Sequence, residues 1–133
     1  MKKTLTVDTT KEHQLIDITD EVLAAVADAQ GDTFAHVYTP HTTASILINE
    51  NEERLIADCE RVIGVLLEAA RPFKHDGRDG PNGEGHAFSW LHGCEKLIPI
   101  DDGKLQLGHL QRIYFVETSG PRHRTVEVRV LGQ

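Results

Sequence analysis

Short segments with strand character, interrupted by only two long helical patterns, are the feature that most restricts the fold of this chain. The alternation is clearest near the end of the sequence, where Val126, Val128 and Val130 alternate with polar residues. A strand of this kind buries one face, which is typical of antiparallel sheets. Because strands and helices do not alternate regularly, the pattern predicts an α+β fold with largely antiparallel sheets.

The apolar periodicities place the individual elements. Strands are predicted at 3–7, 13–18, 33–38, 45–48, 96–100, 112–117 and 125–131. Helices are predicted at 19–30, at 52–70 and, shorter, at 86–91. The first two strands are predicted to form a hairpin, and the last is predicted to be an edge strand. Thr19 is the predicted cap of the first helix, and Asn49 or Asn51 is the predicted cap of the second. A chain of 133 residues is the size of one domain, so 1–133 is predicted to be a single unit.

The charge balance excludes some classes of partner. The formal net charge is −7, with 21 acidic and 14 basic residues, which disfavours nucleic-acid binding but allows a small phosphorylated ligand held by a few arginines. No apolar run approaches the roughly 18 residues of a membrane span, so no membrane association is expected. Cys59 and Cys94 show neither disulfide nor zinc-ribbon spacing, which favours a reducing, cytoplasmic location.

Histidines are frequent, and a glycine-rich loop carries two of the eight. His75 and His86 bracket a segment that also holds Asn82 and several carboxylates, among them Asp76 and Asp79. Imidazole with carboxylate suits Zn²⁺, whereas carboxylate and amide oxygens suit Mg²⁺. A solvated surface loop rich in turn-forming residues is the alternative interpretation.

Two further polar clusters are candidates for a site. In the first, His41 precedes a short aliphatic strand and Glu50 follows it, while the neighbouring acids have a simpler explanation as helix-terminal residues. In the second, Arg122 and Arg124 flank His123 on a turn, and their guanidinium groups suit a phosphate or another anion. Ordinary surface ion pairs would account for the two arginines equally well.

Taken together, these segments resemble a known family. The segments are HTTASILINE (41–50), LIPIDDGKLQLGHLQRIYFVE (97–117) and GPRHRTVEVRVLG (120–132), with Asp58, the His75-Asp76 pair, Asn82, His86 and residues 89–93 between them. Their order and spacing are similar to those of the YjbQ family. This is the UPF0047 family, also named secondary thiamine-phosphate synthase. The resemblance implies a two-sheet, largely antiparallel sandwich with two or three helices, assembled as a homotrimer. It also implies a transferase that joins a pyrimidine diphosphate to a thiazole phosphate and releases pyrophosphate.

The clusters and the resemblance together define the predicted site. The expected catalytic residues are His41, Asn49, Glu50, Gln111 and Glu117. The expected ligand-binding residues are Asn82, Ser89, Arg122 and Arg124. A divalent metal ion, Mg²⁺ or Zn²⁺, is expected, with His41, His75 and His86 as its ligands. Leu110 stands where the family usually has an aromatic residue, and Trp90 is the candidate to supply that surface instead.

Two alternatives to the transferase remain open from sequence. One is a metal-binding protein whose histidines hold an ion for hydrolysis or for structure. The other is a non-catalytic trimer that binds a small phosphorylated metabolite.

Overall fold

The computed structural model describes residues 1–75 and 82–132, which form eight strands and three helices. In chain order the elements are β1 (Lys2–Asp8), β2 (Gln14–Asp17), α1 (Thr19–Val26), β3 (Asp32–Tyr38), β4 (Ala44–Glu50), α2 (Glu53–Ala69), α3 (Gly83–His92), β5 (Glu95–Asp101), β6 (Lys104–Leu105), β7 (Gln111–Glu117) and β8 (His123–Leu131). The strands form two antiparallel sheets. The predicted α+β fold is therefore confirmed.

The larger sheet has five strands in the order β1-β8-β3-β5-β6. β8 lies between β1 and β3, so that Val128 is opposite both Lys3 and Val37. The predicted edge position of residues 125–131 is therefore wrong. Alternation reports that one face of a strand is buried, but it carries no information about how many neighbouring strands bond to its edges.

The smaller sheet has three strands in the order β2-β7-β4. The predicted hairpin between the first two strands is wrong, because β1 pairs with β8 and β2 pairs with β7 in the other sheet. Pairing with β7 places Leu15 opposite Val116 and Ile16 opposite Phe115. Both of these β7 residues are completely buried, so β2 gains an apolar neighbour that the exposed strand β1 would not have provided.

The main core lies between the facing sides of the two sheets, with α1 packed into it. The alternating valines Val126, Val128 and Val130 point into this core, so the predicted buried face of the last strand is confirmed. Other members of the core come from β3, β4, β5, β7 and α1, namely Ala35, Val37, Ile46, Ile98, Ile100, Ile113, Phe115, Val22 and Val26. Burial of this apolar surface is the main stabilising contribution to the sandwich.

A second apolar cluster covers the other face of the smaller sheet. It joins α2 and α3 to the sheet through Ile63, Leu67, Phe88, Tyr114 and Val116. Phe88 is the contribution of α3, and its burial fixes that helix against the sheet. This packing matters for function because α3 carries several of the predicted site residues.

The first helix begins differently from the prediction. Thr19 is the first helical residue and not its cap, and α1 ends at Val26, earlier than predicted. The Thr19 hydroxyl donates to Oδ1 of Asp17 at 2.6 Å and accepts from the Ile113 N–H at 2.7 Å. The hydroxyl therefore joins α1 to β7 and is not available to cap the helix.

The second helix closely matches its predicted range, but its cap is another residue. The Glu52 carboxylate accepts a hydrogen bond from the Leu55 N–H at 2.7 Å, so neither Asn49 nor Asn51 acts as the cap. Glu52 reaches the same backbone donors that an asparagine would, and it adds a negative charge at the positive end of the helix. Within the described part of the chain, no helix combines the length and the apolar character needed to cross a membrane.

Candidate functional site

A cavity of about 670 Å³ opens where the β3–β4 connection meets α3. Its walls come from the end of β3, the following loop, α3 and the start of the segment leading to β5. The lining residues are Tyr38, Thr39, Pro40, His41, Thr42, His86, Ala87, Ser89, Trp90, Gly93 and Cys94. The volume falls in the range of small-molecule sites, and three of the predicted site residues, His41, His86 and Ser89, line it.

His41 is held in the cavity wall by the backbone of β8. The N–H of Thr125 donates to its Nε2 at 3.0 Å, which occupies that lone pair. In the neutral imidazole the proton is then on Nδ1, which becomes a hydrogen-bond donor. Burial lowers the pKa of His41, and the nearby charge of Arg124 lowers it further. His41 is therefore a neutral donor at pH 7.

His86 and Ser89 are held by α3. The Ser89 hydroxyl donates to the backbone carbonyl of Ala44 at 2.6 Å, which joins the helix to the start of β4. Burial lowers the pKa of His86, the proximity of His75 lowers it further, and a hydrogen bond to the backbone of Thr42 opposes the shift. The rings of His75 and His86 meet edge to face, with centroids 4.6 Å apart. His75 is thus near the site, as predicted, but it is exposed.

Glu117 and Arg124 form a buried ion pair close to the cavity and not a part of its wall. Nε of Arg124 donates to Oε1 of Glu117 at 2.8 Å, and its Nη2 donates to Oε2. Nη2 also donates to the Thr43 hydroxyl at 2.7 Å, while the Thr9 hydroxyl donates to Glu117 at 2.8 Å. Glu117 has no solvent-exposed surface and Arg124 only 5%.

This ion pair changes the predicted roles of its two members. Burial acts to raise the pKa of the Glu117 carboxyl, but hydrogen bonds from Arg124, Thr9 and the Ser119 N–H outweigh it and lower the pKa. Glu117 is therefore an ionised structural residue with no access to substrate, and its predicted catalytic role does not fit this arrangement. The Nε and Nη2 donors of Arg124 are engaged by Glu117 and Thr43, and the side chain is buried outside the cavity wall, so the predicted anion-binding role does not fit either.

Arg122 and Asn82 lie nearby but outside the cavity wall. Nε of Arg122 donates to the backbone carbonyl of Ser119 at 2.7 Å, which folds the side chain back over its own turn. Asn82 immediately precedes α3, and its backbone carbonyl accepts from the N–H groups of Gly85 and His86. The buried side-chain oxygen of Asn82 has no hydrogen-bond partner among the residues that the structure describes.

Asn49, Glu50 and Gln111 lie at the opposite end of the smaller sheet. Glu50 pairs with Gln111, whereas Ala44 at the other end of β4 pairs with Glu117. Six residues of extended strand span about 20 Å, so these three side chains cannot share a small substrate with His41. Their side chains have local roles, since Asn49 accepts from the Glu50 N–H and Gln111 accepts from the Gly108 N–H. The sequence prediction joined two ends of one sheet into a single site.

The predicted metal set is not assembled by this chain alone. Within residues 1–75 and 82–132, no group of three or more histidine, cysteine, aspartate or glutamate side chains could hold a metal ion. Nε2 of His41 is already an acceptor for Thr125, which leaves only Nδ1 of that ring for an ion, while His75 and His86 lie beside each other. A zinc site needs at least three protein ligands close together, and the described residues of this chain alone do not supply them. The predicted loop carboxylates Asp76 and Asp79 lie outside the described residues.

Sequence reasoning missed most of the remaining cavity wall, including Tyr38, Thr42 and Cys94. The sequence predicts Trp90 only as a replacement for the aromatic residue missing at Leu110. The structure separates the two, because Leu110 precedes β7 at the Gln111 end while Trp90 lies at the other end of the smaller sheet. Trp90 therefore cannot rebuild that wall. One signal could have pointed to Trp90 as a residue of the cavity wall. It is the only tryptophan of the chain, and it lies two residues before the end of α3.

Comparison with known proteins identifies the family. A family model described as UPF0047 protein YjbQ-like matches residues 3–133. A UPF0047 protein of Archaeoglobus fulgidus is 41% identical over 127 residues, which cover 96% of this chain and 98% of the relative. The UPF0047 protein YugU of Bacillus subtilis is 38% identical, with 99% of this chain and 100% of the relative covered.

Solved structures agree with the sequence relatives. A YbjQ-like protein of unknown function from Sulfolobus solfataricus superposes with a TM-score of 0.93 at 32% identity, covering 100% of this chain and 97% of that one. A hypothetical protein from Aeropyrum pernix superposes with a TM-score of 0.91 at 36% identity, covering 100% and 99%. The chain therefore belongs to the YjbQ-like UPF0047 family.

Proposed function

We propose that the 670 Å³ cavity is the substrate site of a transferase that acts on small phosphorylated molecules, of the secondary thiamine-phosphate synthase type. The observation that carries the proposal is that His41 and His86 line one cavity and that both have a lowered pKa. Perturbed histidines that converge in a concave pocket are typical of catalytic sites. The family resemblance supplies the reaction class.

The proposed reaction needs little acid–base chemistry. The thiazole nitrogen forms a bond to the methylene carbon of the pyrimidine diphosphate, the carbon–oxygen bond breaks, and pyrophosphate leaves with the electron pair. Catalysis then consists of positioning the two substrates and stabilising the charge that develops on the leaving group. The Nδ1–H of His41 supplies a donor for that charge, and Thr42 lies in the same wall.

Replacing His41 with alanine is expected to lower kcat/KM for thiamine-phosphate formation by about 10²- to 10³-fold, because the change removes a donor for the leaving group. The measurement couples the pyrimidine diphosphate to the thiazole phosphate and follows thiamine phosphate and pyrophosphate together. His109→Ala is the matched control, because His109 is exposed at the far end of the smaller sheet. Absence of turnover in the wild-type protein would reject the transferase.

The same assay separates the two alternatives. Turnover that is lost on chelation and restored by Zn²⁺ or Mg²⁺, with metal retained in the purified protein, would favour a metal-dependent protein whose ligands come from more than one chain. Tight binding of pyrophosphate or thiamine phosphate without any turnover would favour the non-catalytic metabolite-binding trimer. The transferase requires both binding and product formation.

The proposal includes the homotrimer that the resemblance implies. Support comes from the outer face of the larger sheet, where the exposed side chains of Phe34 and Leu131 lie directly opposite each other on paired strands. Leu97, also exposed, extends this surface on β5. Adjacent exposed apolar residues on a sheet are typical of surfaces that pack against another chain.

Sedimentation equilibrium is expected to give three times the 14.8 kDa chain mass. Phe34→Glu should shift the protein toward monomer, because a carboxylate at a packed apolar surface would be desolvated without a partner. Leu110→Glu is the control, since Leu110 is also exposed but directly precedes β7 of the other sheet. A wild-type protein that sediments as a monomer at micromolar concentration would contradict the trimer.

A further inference from the structure

Trp90 is the most exposed large apolar side chain of the described residues, with 87% of its surface accessible. Tryptophan is highly buried on average, and its indole offers 150–250 Å² of apolar surface whose burial is strongly favourable. The exposed ring lines the same cavity as His41 and His86. An exposed tryptophan at the rim of a pocket is a contact surface that lacks its partner.

The backbone that carries Trp90 is held by several contacts, so the point from which the ring projects is fixed. On one side, the Ser89 hydroxyl is bound to the Ala44 carbonyl. Two residues before Trp90, the buried ring of Phe88 stacks on His92 with centroids 4.0 Å apart. The Gly93 N–H closes the helix by donating to the Ser89 carbonyl at 2.8 Å. On binding a ligand, a ring carried by a fixed helix end has only its two side-chain torsions to lose and no backbone freedom.

The cavity combines an apolar aromatic part with a polar part. Tyr38, whose ring stacks on His36, lies in the same wall as Trp90 and Pro40. His41 and His86 supply the polar groups. A ligand that matches both parts has a flat apolar ring and a separate group that accepts hydrogen bonds. Such complementarity is typical of pockets that bind cofactor-like or metabolite ligands.

We propose that Trp90 is the specificity-determining residue of the cavity and stacks on a planar nitrogen heterocycle, while the Nδ1–H of His41 contacts the anionic substituent of that ligand. The electron-rich face of an indole prefers electron-poor rings, and most of all a ring that carries positive charge. Pyrimidine and thiazolium rings are of this kind, whereas a sugar or a simple carboxylic acid is not. The inference rests on the proposed function for the location of the ligand, but it does not require that a reaction occurs.

Titration calorimetry of wild-type protein and Trp90→Leu tests this with two probes, thiamine phosphate and inorganic pyrophosphate. We expect Trp90→Leu to weaken thiamine phosphate about ten-fold and to leave pyrophosphate unchanged, because only the first probe has a ring to stack. Trp90→Phe should restore most of the affinity. Since the chain has a single tryptophan, quenching of the wild-type fluorescence by thiamine phosphate but not by pyrophosphate reports the same contact directly.

Leu91→Ala is the matched control, because the adjacent Leu91 is also exposed on the last turn of α3 but does not line the cavity. Trp90→Leu would overturn the proposal if it weakened the binding of both probes equally. It would also overturn the proposal if it produced a smaller oligomer without any change in affinity, because another chain would then cover the ring. Ring-dependent binding without turnover would support the proposal and reject the transferase. Turnover by Trp90→Leu with unchanged affinity for thiamine phosphate would support the transferase and overturn the role of Trp90.

Discussion

Replacing Glu117 with glutamine is expected to lower the free energy of unfolding by about 3–5 kcal/mol, the largest effect that the structure predicts for one side chain. The substitution is nearly isosteric, but it leaves the buried guanidinium of Arg124 without a counter-charge. It also disturbs the acceptors used by the Thr9 hydroxyl and the Ser119 N–H. Urea unfolding at pH 7 measures the change.

The effect of Glu117→Gln is expected to depend on pH in a defined direction. Although burial opposes the shift, the folded state lowers the pKa of the Glu117 carboxyl below its usual value of 4.5, because Arg124, Thr9 and the Ser119 N–H donate hydrogen bonds to it. Its stabilising contribution is therefore fully present above about pH 4.5 and is lost as the pH falls through the lowered folded pKa. The glutamine variant has no such titration, so the difference in stability between the two proteins should shrink below pH 4.5.

Two controls separate the buried pair from ordinary surface charge. Glu68 makes an exposed ion pair with Arg71, and Glu68→Gln should change stability by less than about 1 kcal/mol. The double variant Glu117→Leu with Arg124→Met removes both buried charges and should cost less than Glu117→Gln alone. A Glu117→Gln protein that unfolds within 1 kcal/mol of wild type would show that the pair is not desolvated in solution.

Gly85→Ala is expected to destabilise the protein by about 1–3 kcal/mol and to lower kcat/KM for thiamine-phosphate formation. A Cβ atom at this position would lie 2.6 Å from the backbone carbonyl oxygen of Thr118. Thr118 cannot yield easily, because its N–H donates to the Thr43 carbonyl at 3.1 Å and its hydroxyl lies within hydrogen-bonding distance of the Thr43 and Gly85 carbonyls, at 2.8 and 3.0 Å. The methyl group would therefore push α3 outward, and the neighbouring His86 would move with it.

Gly64→Ala is the matched control for this prediction. It makes the same change in the middle of α2, where the nearest atom to the new methyl group is Nδ1 of His13 at an ordinary 3.7 Å. Alanine should stabilise this helix by about 0.5–1 kcal/mol, because it loses less backbone entropy on folding. Parallel urea unfolding curves with shifts of opposite sign are expected, and destabilisation by both substitutions would contradict the contact at Thr118.

The sequence predicted the positions of the strands and helices better than it predicted which strands pair with each other. The valine alternation of β8 correctly identified a buried face, because side-chain period follows directly from strand geometry. The same alternation led to a wrong edge position, and the β1–β2 hairpin was also wrong, because strand pairing depends on which partners complete the core. Caps were missed for a related reason, since Thr19 finds its partner in Ile113, 94 residues away.

The candidate site shows the same division. Of the predicted site residues, His41, His86 and Ser89 line one cavity, because the elements that carry them meet at one end of β4. Glu50 is part of the predicted site because it is the last residue of the motif that begins with His41. The extended strand β4 nevertheless places Glu50 about 20 Å from the end where His41 lies. The buried pairing of Glu117 with Arg124 could not be predicted, because it requires knowing that the end of β7 faces the start of β8.

The central position of β8 has a consequence for how the chain folds. Its two neighbours, β1 and β3, are separated from it by most of the sequence, and only the short β5–β6 pair of the larger sheet is a local hairpin. Each long-range pairing has to close a large loop before its contacts stabilise it, so folding is slow compared with helical proteins of this size, in the range of about milliseconds to seconds. Until β8 is inserted, β1 and β3 present unpaired edges, and the chain is then most susceptible to aggregation.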